Sequence, residues 1–201
     1  MRPVSVVSGT MVPLPMADID TDQIIPKQFL TRTERTGYGE FLFFDWATTK
    51  DGSPSSDFFT NDPARSDARV LVTGRNFGCG SSREHAVWAL VDWGLDAVIA
   101  PSFGDIFRNN SVNVGLLTVE LPEEIVARLL DLAQDPGAVV TIDLREQTVE
   151  FGDVVAEFEI DHGAKEQLMA GLDPIGLTLQ RDDAISAYEA RRPHWLSPTA
   201  Q

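Results

Sequence analysis

The spacing of apolar residues changes several times along the chain, and each change marks an element. "ARVLVTG" (68–74) is a short β-branched apolar run closed by glycine, the pattern of a buried strand. "REHAVWALVDWG" (83–94) is too long for a strand and apolar around most of its circumference, so it predicts a buried helix stopped by Gly94. "DAVIAP" (96–101) reads as a second buried strand, which makes residues 70–101 a βαβ unit with parallel strands and a right-handed crossover. A short helix in "GDIFRNNSV" and a strand in "GLLTVEL" follow. After Pro122, "EEIVARLLDLAQD" places Ile125, Leu129 and Leu132 on one helical face, with glutamates in the first turn where the helix dipole favours them.

Further along, "AVVTIDL", "TVEF" and "VAEFEI" predict strands, the first two joined by a tight "REQ" turn, and helices are expected near 164–171 and 182–191. The N-terminal stretch "VVSGTMVPLPMADIDTDQIIP" predicts a short strand, a Gly-Thr turn and an irregular acidic segment broken at Pro26. Residues 31–68 show the least periodicity. Glycines, prolines and small polar residues surround the aromatic cluster from Phe41 to Trp46, and Gly37-Tyr38-Gly39 allows motion, so a flexible lid or specificity loop is expected there. The pattern is α/β, a central mixed sheet with flanking helices, in one domain over 1–201 with a helical C-terminal extension from about 164.

Charge narrows the partners. Thirty-one acidic against 16 basic residues give a net charge of −15, which repels phosphate backbones and anionic lipid surfaces, so neither nucleic acid nor a membrane is an expected partner. No apolar run has the length of a membrane span and the N-terminus lacks a signal-peptide core, so a cytoplasmic protein is expected. Cys79 is the only cysteine, which excludes an internal disulfide and cannot by itself ligate an iron–sulfur cluster.

Candidate chemistry concentrates in "GRNFGCGSSREHA" (74–86). Ser81 followed three residues later by Glu84 has the form of a capping box, which satisfies backbone N–H groups at a helix start. Gly74, Gly78 and Gly80 exceed what a cap requires. Glycines before a helix let backbone N–H groups, here those of Gly78 and Gly80, approach an anion, and Arg83 adds a planar charged fork for a carboxylate. Nucleotide patterns fail: no lysine follows as in a Walker A loop, and Arg83 stands where a dinucleotide loop needs its last glycine. Gly80 is followed by Ser81-Ser82-Arg83, so the hydrolase G-x-S-x-G pattern is absent too. A serine in the positive potential of a helix N-terminus is a second reading, as a base.

Other signals are weaker. Asp18, Asp20 and Asp22 have calcium-loop spacing, but Gln23 and Phe29 replace the required glycine and glutamate, which leaves a turn that caps a neighbouring element. Cys79 reads as a thiol nucleophile or a small packing residue. His85 lies beside the glycine-rich loop and reads as a surface or packing residue, and the three histidines show no metal spacing.

"GCGSSREHA" closely resembles the serine–arginine loop of the swivelling domain of the aconitase superfamily, and "SFGDIFRNN" with "GLLTVEL" resembles the segment after it. "DIDTDQIIPKQFL", "RTGYGEFLFFDW" and "LDPIGLTLQRDDAISAYEARRP" are similar to the small subunits of bacterial 3-isopropylmalate dehydratases. The resemblance implies a swivelling β/β/α fold and a large partner subunit that bears a [4Fe–4S] cluster, with no cofactor on this chain. It further implies a hydro-lyase acting on a small dicarboxylate in leucine biosynthesis, inactive without that partner. By motif position Ser81 matches the catalytic base, Ser82 and Arg83 match residues that hold substrate carboxylate, and Leu30, Thr31 and Arg32 fall at the specificity loop. Two alternatives stay open: the small subunit of a related citraconate or homoaconitate hydro-lyase, and a non-enzymatic anion-binding module.

Overall fold

The computed structural model describes residues 1–30, 36–56 and 58–192. Its centre is a seven-stranded mixed sheet in the order β4-β3-β2-β1-β5-β6-β7. The strands are β1 (Val6–Leu14), β2 (Val70–Thr73), β3 (Ala97–Ala100), β4 (Leu117–Glu120), β5 (Val139–Asp143), β6 (Thr148–Phe151) and β7 (Val154–Glu157). From β1 to β4 every pair is parallel, and from β1 to β7 in the other direction every pair is antiparallel. β1 joins the halves by using different residues for each, Val6–Thr10 against β5 and Met11–Leu14 against β2.

The predicted Gly-Thr turn is not there: Gly9 and Thr10 lie inside the nine-residue β1. Gly9 serves close approach instead, since a Cβ on it would fall 2.4 Å from the Arg69 Cγ. All residues of β2 and β3 are buried, as strands covered on both faces require. Val12, Leu71 and Val98 point to one face, while Met11, Val70, Val72 and Ile99 point to the other, giving two apolar layers.

Against the first layer pack α3 (Glu84–Trp93) and α4 (Asp105–Val114); against the second packs α5 (Glu123–Leu132) through Val126 and Leu129. The described part of 31–68, expected as a long loop, folds as α2 (Phe44–Ala47) and three 3-10 turns, at Gly39–Phe41, Phe59–Asn61 and Pro63–Arg65. Its bulky residues reach the core: Tyr38, Leu42 and Phe43 are fully buried in the layer that holds α3, and Phe41 and Trp46 pack against it partly buried. Gly39, expected to permit motion, meets α3 so closely that a Cβ would fall 2.7 Å from the Trp93 backbone N. The last described elements are α6 (His162–Ala170), α7 (Pro174–Leu179) and α8 (Asp182–Arg191); α7 adds a helix to the two expected, and α8 buries none of its residues.

Candidate functional site

Three adjacent parallel strands deliver their carboxyl ends to one place, the usual location of a ligand in an open α/β sheet. The segment after β1 carries Asp18 to Asp22, the one after β2 is the glycine-rich loop, and the one after β3 carries Ser102 to Gly104. Main-chain hydrogen bonds lace them together. Gly74 N donates to Met16 O at 3.0 Å, Asp18 N to Arg75 O at 2.9 Å, Gly78 N to Ile19 O at 2.8 Å and Thr21 N to Cys79 O at 3.0 Å. On the other side Phe77 N donates to Ser102 O and Gly104 N to Phe77 O. Below the loop, Phe77, Phe103 and Phe107 form a buried aromatic group, with Phe77 edge-on to Phe107 at 5.2 Å.

Two glycines have backbone conformations that demand them, Gly78 at φ 72° and Gly80 at φ 90°. Their N–H groups differ. Gly78 is buried and its N–H is spent on Ile19, so it has none to offer an anion; Gly80 is exposed, and its N–H has no acceptor among the described residues.

The expected capping box is absent. The helix α3 starts at Glu84, with Arg83 as an extended N-cap residue and no side-chain hydrogen bond to the first turn. Arg83 is extended, with φ −138° and ψ 105°, so the helix begins only at Glu84 and Ser81 is not its N-cap residue. The positive end of a ten-residue helix therefore remains uncapped, and Ser81 and Ser82 are both exposed beside it.

A second short helix, α1 (Thr21–Ile24), supports the loop. Here a capping box does form: Asp20 accepts from Gln23 N and the Gln23 side chain accepts from Asp20 N, both at 2.8 Å. The acidic segment is thus the capping turn its sequence predicts. Buried Thr21 donates its hydroxyl to Ser81 O at 3.0 Å. Its neighbour Asp22 accepts a hydrogen bond from Arg83 Nη1, and Lys27 Nζ lies 3.5 Å from the other Asp22 oxygen. The Arg83 guanidinium holds the Asp22 carboxyl below the usual carboxylate range; burial opposes this and Lys27 assists it.

Leu30 closes the 3-10 turn Lys27–Phe29 and packs, partly buried, against the aromatic layer. Thr31 and Arg32 lie outside the described residues. His85 lies tilted against Trp88 (4.6 Å) and edge-on to Tyr38 (5.3 Å), a packing residue whose imidazole burial drives toward the neutral form. Cys79 is a free thiol pushed up by burial and by the charges of Asp20 and Asp18, which disfavours a thiolate nucleophile. No group of three or more His, Cys, Asp or Glu residues able to hold a metal occurs among the described residues.

Family models cover most of the chain. The Aconitase C-terminal domain matches residues 1–124, LeuD_N matches 127–162, and the C-terminal domain of the 3-isopropylmalate dehydratase small subunit matches 175–196. The 3-isopropylmalate dehydratase small subunit of Rubrobacter xylanophilus is 50% identical over 197 residues, 98% of each chain. That of Roseiflexus sp. is 50% identical over 203 residues, the whole of both chains. The crystal structure of 3-isopropylmalate dehydratase (leuD) from Methanocaldococcus jannaschii superposes with a TM-score of 0.65 at 27% identity, over 91% of this chain and 99% of that one.

Proposed function

Because this chain belongs to the family of 3-isopropylmalate dehydratase small subunits, we propose that its serine–arginine loop is its half of an active site shared with a large subunit. The protein is a subunit of a hydro-lyase of leucine biosynthesis, the enzyme that interconverts 2-isopropylmalate and 3-isopropylmalate through isopropylmaleate. In our reading the chain is cytoplasmic; no described helix is long and apolar enough to cross a membrane.

One observation carries the residue assignment: the N-terminus of α3 is uncapped and the hydroxyl beside it is exposed. Peptide dipoles and the Arg83 charge lower the cost of an alkoxide at Ser81 Oγ. As base, Ser81 takes the proton from the carbon next to a carboxylate while hydroxyl leaves the neighbouring carbon. Water then adds back across the alkene with the opposite placement of proton and hydroxyl, Ser81 returning the proton. Arg83, with Ser82 and the exposed Gly80 N–H, holds a carboxylate still during both steps. Leu30, with Thr31 and Arg32, is our candidate for contact with the isopropyl side of the substrate.

The exposure of Ser81 and Ser82 leaves one side of the substrate to be enclosed by the large subunit. The [4Fe–4S] cluster belongs there in this reading. Such a cluster needs three or four thiolates, whereas this chain has one cysteine, held as a protonated thiol among aspartates.

Co-expression with a cluster-bearing large subunit, followed by ultraviolet absorbance of the conjugated alkene, tests the assignment. Ser81→Ala should lower turnover about a hundredfold or more, the loss expected of a missing general base, with melting temperature and subunit assembly unchanged. Near-normal turnover of that variant would overturn it.

A further inference from the structure

The Arg83 guanidinium is already bound to a carboxylate of its own chain. Its side chain is 9% exposed and that of Asp22 37%, and Nη1 donates to Asp22 Oδ1. We propose that Asp22 is a positioning residue, whose carboxylate fixes the Arg83 guanidinium in the orientation that receives a substrate carboxylate. The proposal rests on the reading of Arg83 given above.

Four observations support it. Asp22 is mounted rigidly, because the helix that carries it is closed by the reciprocal Asp20–Gln23 cap. Adjacent residues of that helix grip alternate residues of the loop: Thr21 holds the Ser81 carbonyl and Asp22 holds the Arg83 side chain. The helix thus sets the spacing between base and carboxylate binder. The contact with Asp22 is through Nη1 alone, and no other acceptor for the guanidinium is present among the described residues, so four of its five N–H donors remain for a ligand.

Charge gives the fourth. A single Asp22 beside Arg83 would cancel its attraction for an anion. Lys27 Nζ, 3.5 Å from the other Asp22 oxygen and 72% exposed, restores one net positive charge to the group. Asp22 therefore orients Arg83 while Lys27 keeps the site attractive to a dianion. The Arg83 side chain is nearly buried, so loss of its partner costs stability as well, and KM against kcat is the readout that separates this role from a purely structural one.

The test uses the reconstituted two-subunit enzyme with 2-isopropylmalate. Asp22→Asn should raise KM about tenfold to a hundredfold, as a misplaced binding group does, with a smaller change in kcat in the enzyme that remains assembled. Asp22→Glu, which keeps the charge, should recover part of the loss. On an Arg83→Lys background Asp22→Asn should add less than about twofold, because residues that act through one another are non-additive. Additive losses, or an unchanged KM with lowered stability or assembly, would overturn the positioning role. A lower KM in Asp22→Asn would overturn it too, showing that Asp22 competes with substrate. If Arg83→Lys itself left KM unaltered, the assignment of Arg83 would fail instead.

Discussion

Gly78 faces Phe107 so closely that a Cβ on the glycine would lie 2.2 Å from the ring Cγ. The loop that carries Ser81 is seated on this contact, and Gly78 also adopts a positive φ. Gly78→Ala has to move the ring or the loop, at a combined cost of about 3 kcal/mol from overpacking and left-handed backbone. Chemical denaturation of the isolated subunit should show that loss, and turnover of the assembled enzyme should fall with it.

Arg65 is a buried cation whose one carboxylate neighbour, Asp62, stands 3.9 Å from its Nε and is itself half-exposed. Its Nη1 donates to Met11 O and Ala133 O at 2.8 Å and its Nη2 to Gln134 O at 3.1 Å, tying the Pro63–Arg65 turn to β1 and the end of α5. Arg65→Met keeps most of the volume and removes these donors. It should lower unfolding free energy by about 3 kcal/mol, the scale of lost charge-assisted bonds to buried carbonyls, and Arg65→Lys should recover only part of it.

His85 gives stability a slope in mildly acidic solution. Burial lowers its folded-state pKa below 6.5, with the Glu84 charge opposing and the Arg83 charge assisting. The unfolded chain therefore takes up the proton first as pH falls. Stability should be full above about pH 6.5 and decline below it until the folded imidazole also titrates. The melting temperature of His85→Gln should fall less than that of the wild type between about pH 7 and pH 5.

Cys79 should react slowly. With its thiol pushed up by burial and by Asp20 and Asp18, iodoacetamide at mildly alkaline pH should alkylate it several-fold more slowly than free glutathione. Unfolding in guanidinium should abolish the difference. Equal rates in the folded protein would contradict the protonated, partly buried thiol.

The parallel half is legible in the sequence because β2 and β3 are apolar on both faces and α3 along most of its length, a pattern that needs no partner to interpret. Gly9 reads as a turn because its reason, the side chain of Arg69, lies 60 residues away. Ser81 and Glu84 have cap spacing, yet the extended backbone of Arg83 delays the helix until Glu84, a property that spacing does not reveal. The serine–arginine loop is readable as a candidate anion site from its own residues, whereas Asp22 reads only as part of an acidic turn. Its pairing with Arg83 spans 61 positions and exists only once β1 and β2 lie side by side.

The division of β1 between two kinds of neighbour has a mechanical result. Its first five residues are clamped by β5, and its last four run straight toward the turn that bears Asp22. Slippage of the β1–β5 pairing by one residue would translate that turn about 3.3 Å and drag the aspartate off its arginine. The remote hairpin strands thereby act as the anchor that fixes how far the Asp22 turn, and with it the Arg83 side chain, protrudes.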